Sequence, residues 1–250
     1  MSEESCDREQ DQEFAIVLLK AMEHELRQYP ATMLVQLGAQ YGYQPFLILT
    51  ATMLSQRSQD TVTLPVAQTL WARAKTPQQL LAISQQELVE LIRPCGMQEE
   101  RAKNLREVCK ILVEQFDDEV PSTLDELLSL PGVGPKTANL VLSEAFGIPA
   151  VAVDTHVLRI SEHLGFVPAN ASEEEAQSVL EQIFPVGSWS LINRCFVSWG
   201  QHVCTPHTPK CVCNERMQAA IEAFMDLLED ADDEGCDEDD DSSVCGCCCC

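Results

Sequence analysis

The 250-residue sequence has no run of the roughly eighteen uninterrupted apolar residues that a membrane-spanning helix needs, so none is expected. Targeting signals are missing from its start as well. MSEESCDREQDQE is polar and acidic, with neither an apolar stretch nor a basic amphipathic one. The protein is therefore expected to stay where it is made, and its 13 cysteines to be free or metal-bound rather than paired in disulfides. Positive charge is scarce: 16 Lys and Arg face 40 Asp and Glu, for a net charge of −24. Polyanionic partners are normally held by basic contacts, so composition weighs against one, although a local basic face is compatible with an acidic whole. Part of the excess is confined to residues 226–250, which hold eleven acids and no Lys or Arg. Strand-forming sequence is nearly absent, with Val151 to Val153 the one short exception.

What remains reads as helix. Phe14, Leu18, Met22 and Leu26 recur every four residues and predict one apolar face. Ser84 with Glu87, Thr123 with Glu126, and Ser172 with Glu175 have the spacing of capping boxes. Amphipathic runs cover 98–116 and 173–184. The expected fold is all-α, an orthogonal helical bundle of two lobes, with enough hydrophobic residues (45%) for one sizeable unit or two small ones. There is no internal repeat. From about Asp226 the sequence is acidic and of low complexity, with disorder expected.

The chemistry is concentrated between Leu124 and His156. A helix ends near Leu130, Pro131-Gly132-Val133-Gly134-Pro135 turn the chain, and a second helix starts at Lys136-Thr137-Ala138 and stops at Gly147. Two glycines permit positive φ and close approach of a ligand to the backbone. Unpaired N–H groups at the second helix's start can hold a phosphate oxygen without reading sequence. Gly-x-Gly alone fits an ordinary helical hairpin; LPGVGPKTA followed by VDTH is far more specific. Lys136 sits where the helix dipole and burial would disfavour its ammonium form, and a neutral amine is what Schiff-base chemistry requires. A plain phosphate-binding lysine is the alternative. Asp154 is 18 residues further on. The helix rises roughly 16 Å and the next eight residues can span up to roughly 26 Å, so the chain can return to Lys136. Asp154 also begins the next amphipathic run, where it would serve as N-cap; a capping carboxylate can keep its second oxygen free.

LPGVGPKTANLVLSEAFGIPAVAVDTH resembles the helix-hairpin-helix and Asp signature of the endonuclease III family, DNA glycosylases with AP lyase activity, and the likeness extends from about Phe14 to Cys213. It implies a six-helix barrel (37–148) with the hairpin, a second lobe from 13–36 plus 149–225, an acidic extension over 1–12, and a tail over 226–250. It implies catalysis by Lys136 as nucleophile and Asp154 as its acid, with DNA held at Gly132, Val133, Gly134 and Thr137. Gln56, Arg57 and Asp60 in LSQRSQD match a loop that enters the gap left by a flipped base, with Asp60 similar to a supporting acid or else a simple N-cap. Met97 in CGM, followed by Arg101-Ala102, matches a second loop that wedges into the base stack. A surface loop and core packing are the alternatives for Arg57 and Met97.

The family usually ends in Cys-x6-Cys-x2-Cys-x5-Cys, which binds a 4Fe-4S cluster. Here Cys204 and Cys211 fit, Cys213 comes one residue early, and the fourth position falls near Ala219 or Ala220. Cys204, Cys211 and Cys213 are thus candidate ligands without a fourth, and an intact cluster is not expected; the chemistry needs no cofactor. By resemblance the protein acts on double-stranded DNA beside the chromosome, as a monomer away from membranes. It would excise damaged bases, oxidised pyrimidines first. A monofunctional mismatch or other-lesion glycosylase, or a non-catalytic DNA-binding module, are the alternatives.

Overall fold

The computed structural model describes residues 3–233, with side chains over 12–227. Helices α1 (Glu3–Leu26), α2 (Met33–Tyr41), α3 (Pro45–Ser55), α4 (Asp60–Arg73), α5 (Pro77–Ala82), α6 (Gln85–Ile92) and α7 (Gln98–Gln115) come first. They are followed by α8 (Leu124–Leu128), α9 (Pro135–Phe146), α10 (Thr155–Leu164), α11 (Glu173–Ile183), α12 (Trp189–His202) and α13 (Lys210–Asp233). No strand occurs among the described residues, so the all-α expectation is met and Val151–Val153 is corrected: it is a buried, non-helical connector without a partner strand.

Local chemistry explains the helix ends. Ser172 and Glu175 form the full reciprocal capping box. Ser84 and Thr123 each accept the backbone N–H three residues on, but neither Glu returns a bond to the cap backbone. On α1 the buried stripe is Ala15, Leu18, Leu19 and Met22, while Phe14 is 51% exposed, so the predicted face is shifted at its start. Residues 3–12 continue that helix. At the other end α13 runs past Asp226 to Asp233, and residues 234–250 lie outside the described residues.

Buried apolar side chains fall into two cores. One runs from Met33 and Leu37 through α3–α9 to Ala150. The other joins α1 to residues from Val151 on, including Phe184, Phe196 and Trp199. Each fully buried Leu, Phe or Met contributes about 1.5–3 kcal/mol. Charged and polar groups tie the cores together. Arg194 on α12 grips Glu144 on α9 through both carboxylate oxygens, at 3.0 and 2.6 Å, and lies 5.5 Å from the centroid of the Tyr43 ring. The hydrogen bonds it donates to Glu144 push the Arg194 guanidinium above its ordinary pKa. Because the Glu144 side chain is only 2% exposed, Arg194→Met leaves a carboxylate buried without its partner. It is expected to destabilise the fold by about 3 kcal/mol in denaturant unfolding. Adding Glu144→Gln should recover much of that loss; no recovery would mean that the stacking on Tyr43, not the ion pair, is what matters.

Candidate active site

The hairpin forms as its sequence dictates. Thr123 caps α8, Gly132 turns the chain at φ 78°, Pro135 opens α9, and Gly147 closes it at φ 64°. Only one hairpin glycine needs the left-handed region. Gly134 has φ −102° and open space where a side chain would stand, so its smallness serves close approach rather than backbone strain. At Gly132 an added Cβ would lie 2.9 Å from the Asn104 amide on α7. The first backbone bond of α9 is Ala138 N–H to Gly134 O, 2.9 Å. The preceding N–H groups of Lys136 and Thr137 face outward from a helix start, the arrangement that binds an anion. Val133 and Thr137 have buried side chains, so only their backbones can meet DNA.

Lys136 and Asp154 meet: Nζ lies 3.2 Å from Oδ2. Asp154 divides its oxygens between two tasks. Oδ1 accepts from the N–H groups of His156 and Val157, both at 2.9 Å, and caps α10, leaving Oδ2 for the lysine. The Lys136 side chain is 39% exposed, so the burial expected of it is only partial. Two amides aim the connector that carries Asp154. Asn139 donates to Val151 O and Asn193 to Ala152 O, each at 3.1 Å. His156, the last residue of VDTH, packs against Gly200, where a Cβ would come within 2.7 Å of its Nδ1. Burial lowers its pKa, and this histidine faces α12 rather than the lysine.

Lys136 borders two cavities. One of about 290 Å³ also touches Glu173 and Glu174. The other, of about 50 Å³, is shared with Asp60, Glu144, Asp154 and Arg194. Asp60 does not cap its own helix; Gln59 holds the N-cap position. Its Oδ2 accepts from Met33 N–H at 3.0 Å and Gln201 Nε2 at 3.1 Å, joining α2, α4 and α12 beside the site. Gln56 donates to Gly132 O at 2.8 Å and so braces the hairpin. Arg57 and Met97 are exposed tips of separate loops, both at positive φ, 56° and 49°.

Among the candidate ligands, Cys204 and Cys213 are joined in a disulfide, against the expectation of unpaired thiols, and Cys211 is exposed and apart. His163 takes the third place: Nδ1 is 3.2 Å from Cys204 Sγ, and the side-chain N and S atoms of His163, Cys204 and Cys213 lie within 4.8 Å of one another, a group that could hold a metal ion only with the disulfide reduced to thiolates. Sequence offered no signal for His163, which is 41 residues away. A 4Fe-4S cluster is held by four separate thiolates. Two of these sulfurs are bonded to each other, Cys211 points elsewhere, and Ala220 packs in the second core near the fourth position, so the described residues do not fit the cluster. Cys109 and Cys195 are buried thiols pushed up to about 12 by desolvation, which suits packing rather than ligation.

Residues 50–186, which contain this hairpin and Asp154, match the HhH-GPD superfamily of base excision DNA repair proteins. Endonuclease III of Thermotoga maritima is 42% identical over 167 residues, covering 67% of this chain and 78% of the relative. A trapped endonuclease III–DNA covalent intermediate superposes with a TM-score of 0.71 at 32% identity, over 83% of this chain and 98% of that one. A non-covalent endonuclease III–DNA complex does so with a TM-score of 0.65 at 36% identity, over 70% and 86%. The chain belongs to the endonuclease III family.

Proposed function

We propose that this base-excision-repair glycosylase with lyase activity removes oxidised pyrimidines from duplex DNA, with Lys136 as its nucleophile and Asp154 as its acid–base partner. The observation that carries the assignment is the 3.2 Å approach of Lys136 Nζ to the uncommitted oxygen of Asp154, at the mouth of the hairpin. The deprotonated amine attacks C1′ of the extruded nucleotide. The C1′–N bond breaks, and the base leaves with the bonding pair and takes up a proton from solvent water. Asp154 Oδ2 receives the proton that the amine gives up, and its charge offsets the cationic sugar. Ring opening gives an imine between Nζ and C1′. Loss of a C2′ proton expels the 3′ phosphate with the C3′–O electrons, and water returns the lysine.

The two cores serve as two lobes with the DNA across the groove between them. Backbone N–H groups of the hairpin hold a phosphate, and Arg57 and Met97 enter the gap left by the base. The protein works as a monomer beside the chromosome. Duplexes carrying an oxidised pyrimidine, 8-oxoguanine or a mismatched adenine, incubated with borohydride, test the substrate. Trapping and strand cleavage should favour the oxidised pyrimidine. Preference for another duplex would assign the chain to that lesion; base release without trapping would leave a monofunctional glycosylase, and binding with neither would leave a DNA-binding module.

The thiol arrangement supports chemistry without an iron–sulfur cluster. Anaerobically purified protein is expected to hold far less than the about four iron per chain of a full cluster, and Cys211→Ser should fold normally. A full iron complement lost together with folding in that variant would refute this.

A further inference from the structure

Arg101 stands in the first turn of α7 and is 7% exposed. No carboxylate among the described residues is in ion-pair contact with it. Its guanidinium is instead spent on three backbone carbonyls. Nη1 donates to Met53 O at 2.6 Å, Nη2 to Gln56 O, and Nε to Gly96 O at 2.8 Å. The first two carbonyls end α3, where the loop bearing Arg57 begins; the third immediately precedes Met97. A buried cation without an anion is costly, and the positive end of its own helix is an unfavourable place for it. As a cap on the end of α3 it is well placed, since a cation there meets unpaired carbonyls. Both loops hold a non-glycine residue at positive φ, which persists only where surroundings fix it. The first loop also reaches the hairpin through Gln56 and Gly132 O.

We infer that Arg101 is a positioning residue whose three-way fork sets the Arg57 loop and the Met97 loop in register with each other, and so governs how tightly damaged DNA is engaged. This rests on the proposed role of both loops at the lesion. A lysine keeps the charge but cannot fork to three carbonyls. Arg101→Lys is therefore expected to raise KM for a lesion duplex by about ten- to a hundredfold, the scale of a small misplacement, with kcat within about twofold. Because the effect passes through the loops, it should largely disappear in an Arg57→Ala/Met97→Ala background. An unchanged KM, a loss confined to kcat, or an undiminished effect in that background would overturn the inference. If Arg57→Ala and Met97→Ala do not themselves weaken lesion binding, the loop reading has failed and this one with it. Hydrogen exchange of the wild-type protein provides a test that needs no variant to fold. Amides of 56–59 and 96–98 should open with one shared free energy, as one fork releases both; two distinct values would overturn the inference.

Discussion

Lys136→Gln is expected to abolish borohydride trapping on an abasic-site duplex while leaving DNA binding within about threefold of wild type. The two halves of this result have different physical origins. Trapping needs an amine that can form an imine with C1′, and a carboxamide nitrogen has no basic lone pair to offer. In the proposed mode, binding at the hairpin draws on backbone N–H groups at the start of α9, which the substitution does not touch, and Pro135 and Gly134 still set that turn. The fold should also survive, because Lys136 is part-exposed and Gln is an adequate helix former. One charge within reach of phosphate is removed, so a small loss of affinity is expected that is largest at low salt and shrinks as salt rises. Normal trapping by the variant would remove Lys136 from the chemistry, and a collapse of binding to the level of bulk duplex would recast it as a phosphate contact.

How much of this site was legible in advance depends on how local its causes are. The turn at Gly132, the stop at Gly147 and the cap at Asp154 follow from backbone requirements within a few residues, and each appears where the sequence placed it. The meeting of Lys136 and Asp154 was legible only as permitted reach. What aims the connector is Asn139 from one side and Asn193 from the other, and neither carries a local pattern. Val151–Val153 misled for the same reason: β-branched residues signal burial in an extended chain, and here side-chain amides rather than a neighbouring strand satisfy its carbonyls. Arg101 was visible only as part of a motif, since its three acceptors lie up to 48 residues away. Asp60 was open between a supporting acid and a cap for its own helix; the cap position falls to Gln59, and the Asp60 carboxylate reaches back to Met33 and across to Gln201. The Cys204–Cys213 pairing was not legible because an argument from compartment says nothing about which sulfurs the fold brings together, and the two lie nine residues apart with no local pattern that marks them.

Asp154→Asn separates the two tasks of that residue. Oδ1 accepts from two backbone N–H groups at the start of α10, and an amide oxygen can do the same, since Asn caps helices about as well as Asp. Thermal stability should therefore stay within about 1 kcal/mol of wild type, whereas Asp154→Ala, which loses the cap as well, should fall by up to about 2 kcal/mol. At the other oxygen the exchange is not conservative. The atom now facing Lys136 Nζ is either an NH2 group, which donates towards a donor, or, if the amide is turned, an uncharged oxygen that gives up the cap. In neither orientation is there a negative charge to receive a proton from the lysine or to offset the cationic sugar. Turnover of a lesion duplex should drop at least about a hundredfold, the scale of a positioned acid–base group. Asn and Ala variants should then be similarly inactive while differing in stability, a pattern that a purely capping residue cannot produce. Near-normal turnover by Asp154→Asn would reduce the residue to a cap and leave the activation of Lys136 to another group around the same cavities, with Asp60 and Glu144 the carboxylates to test next.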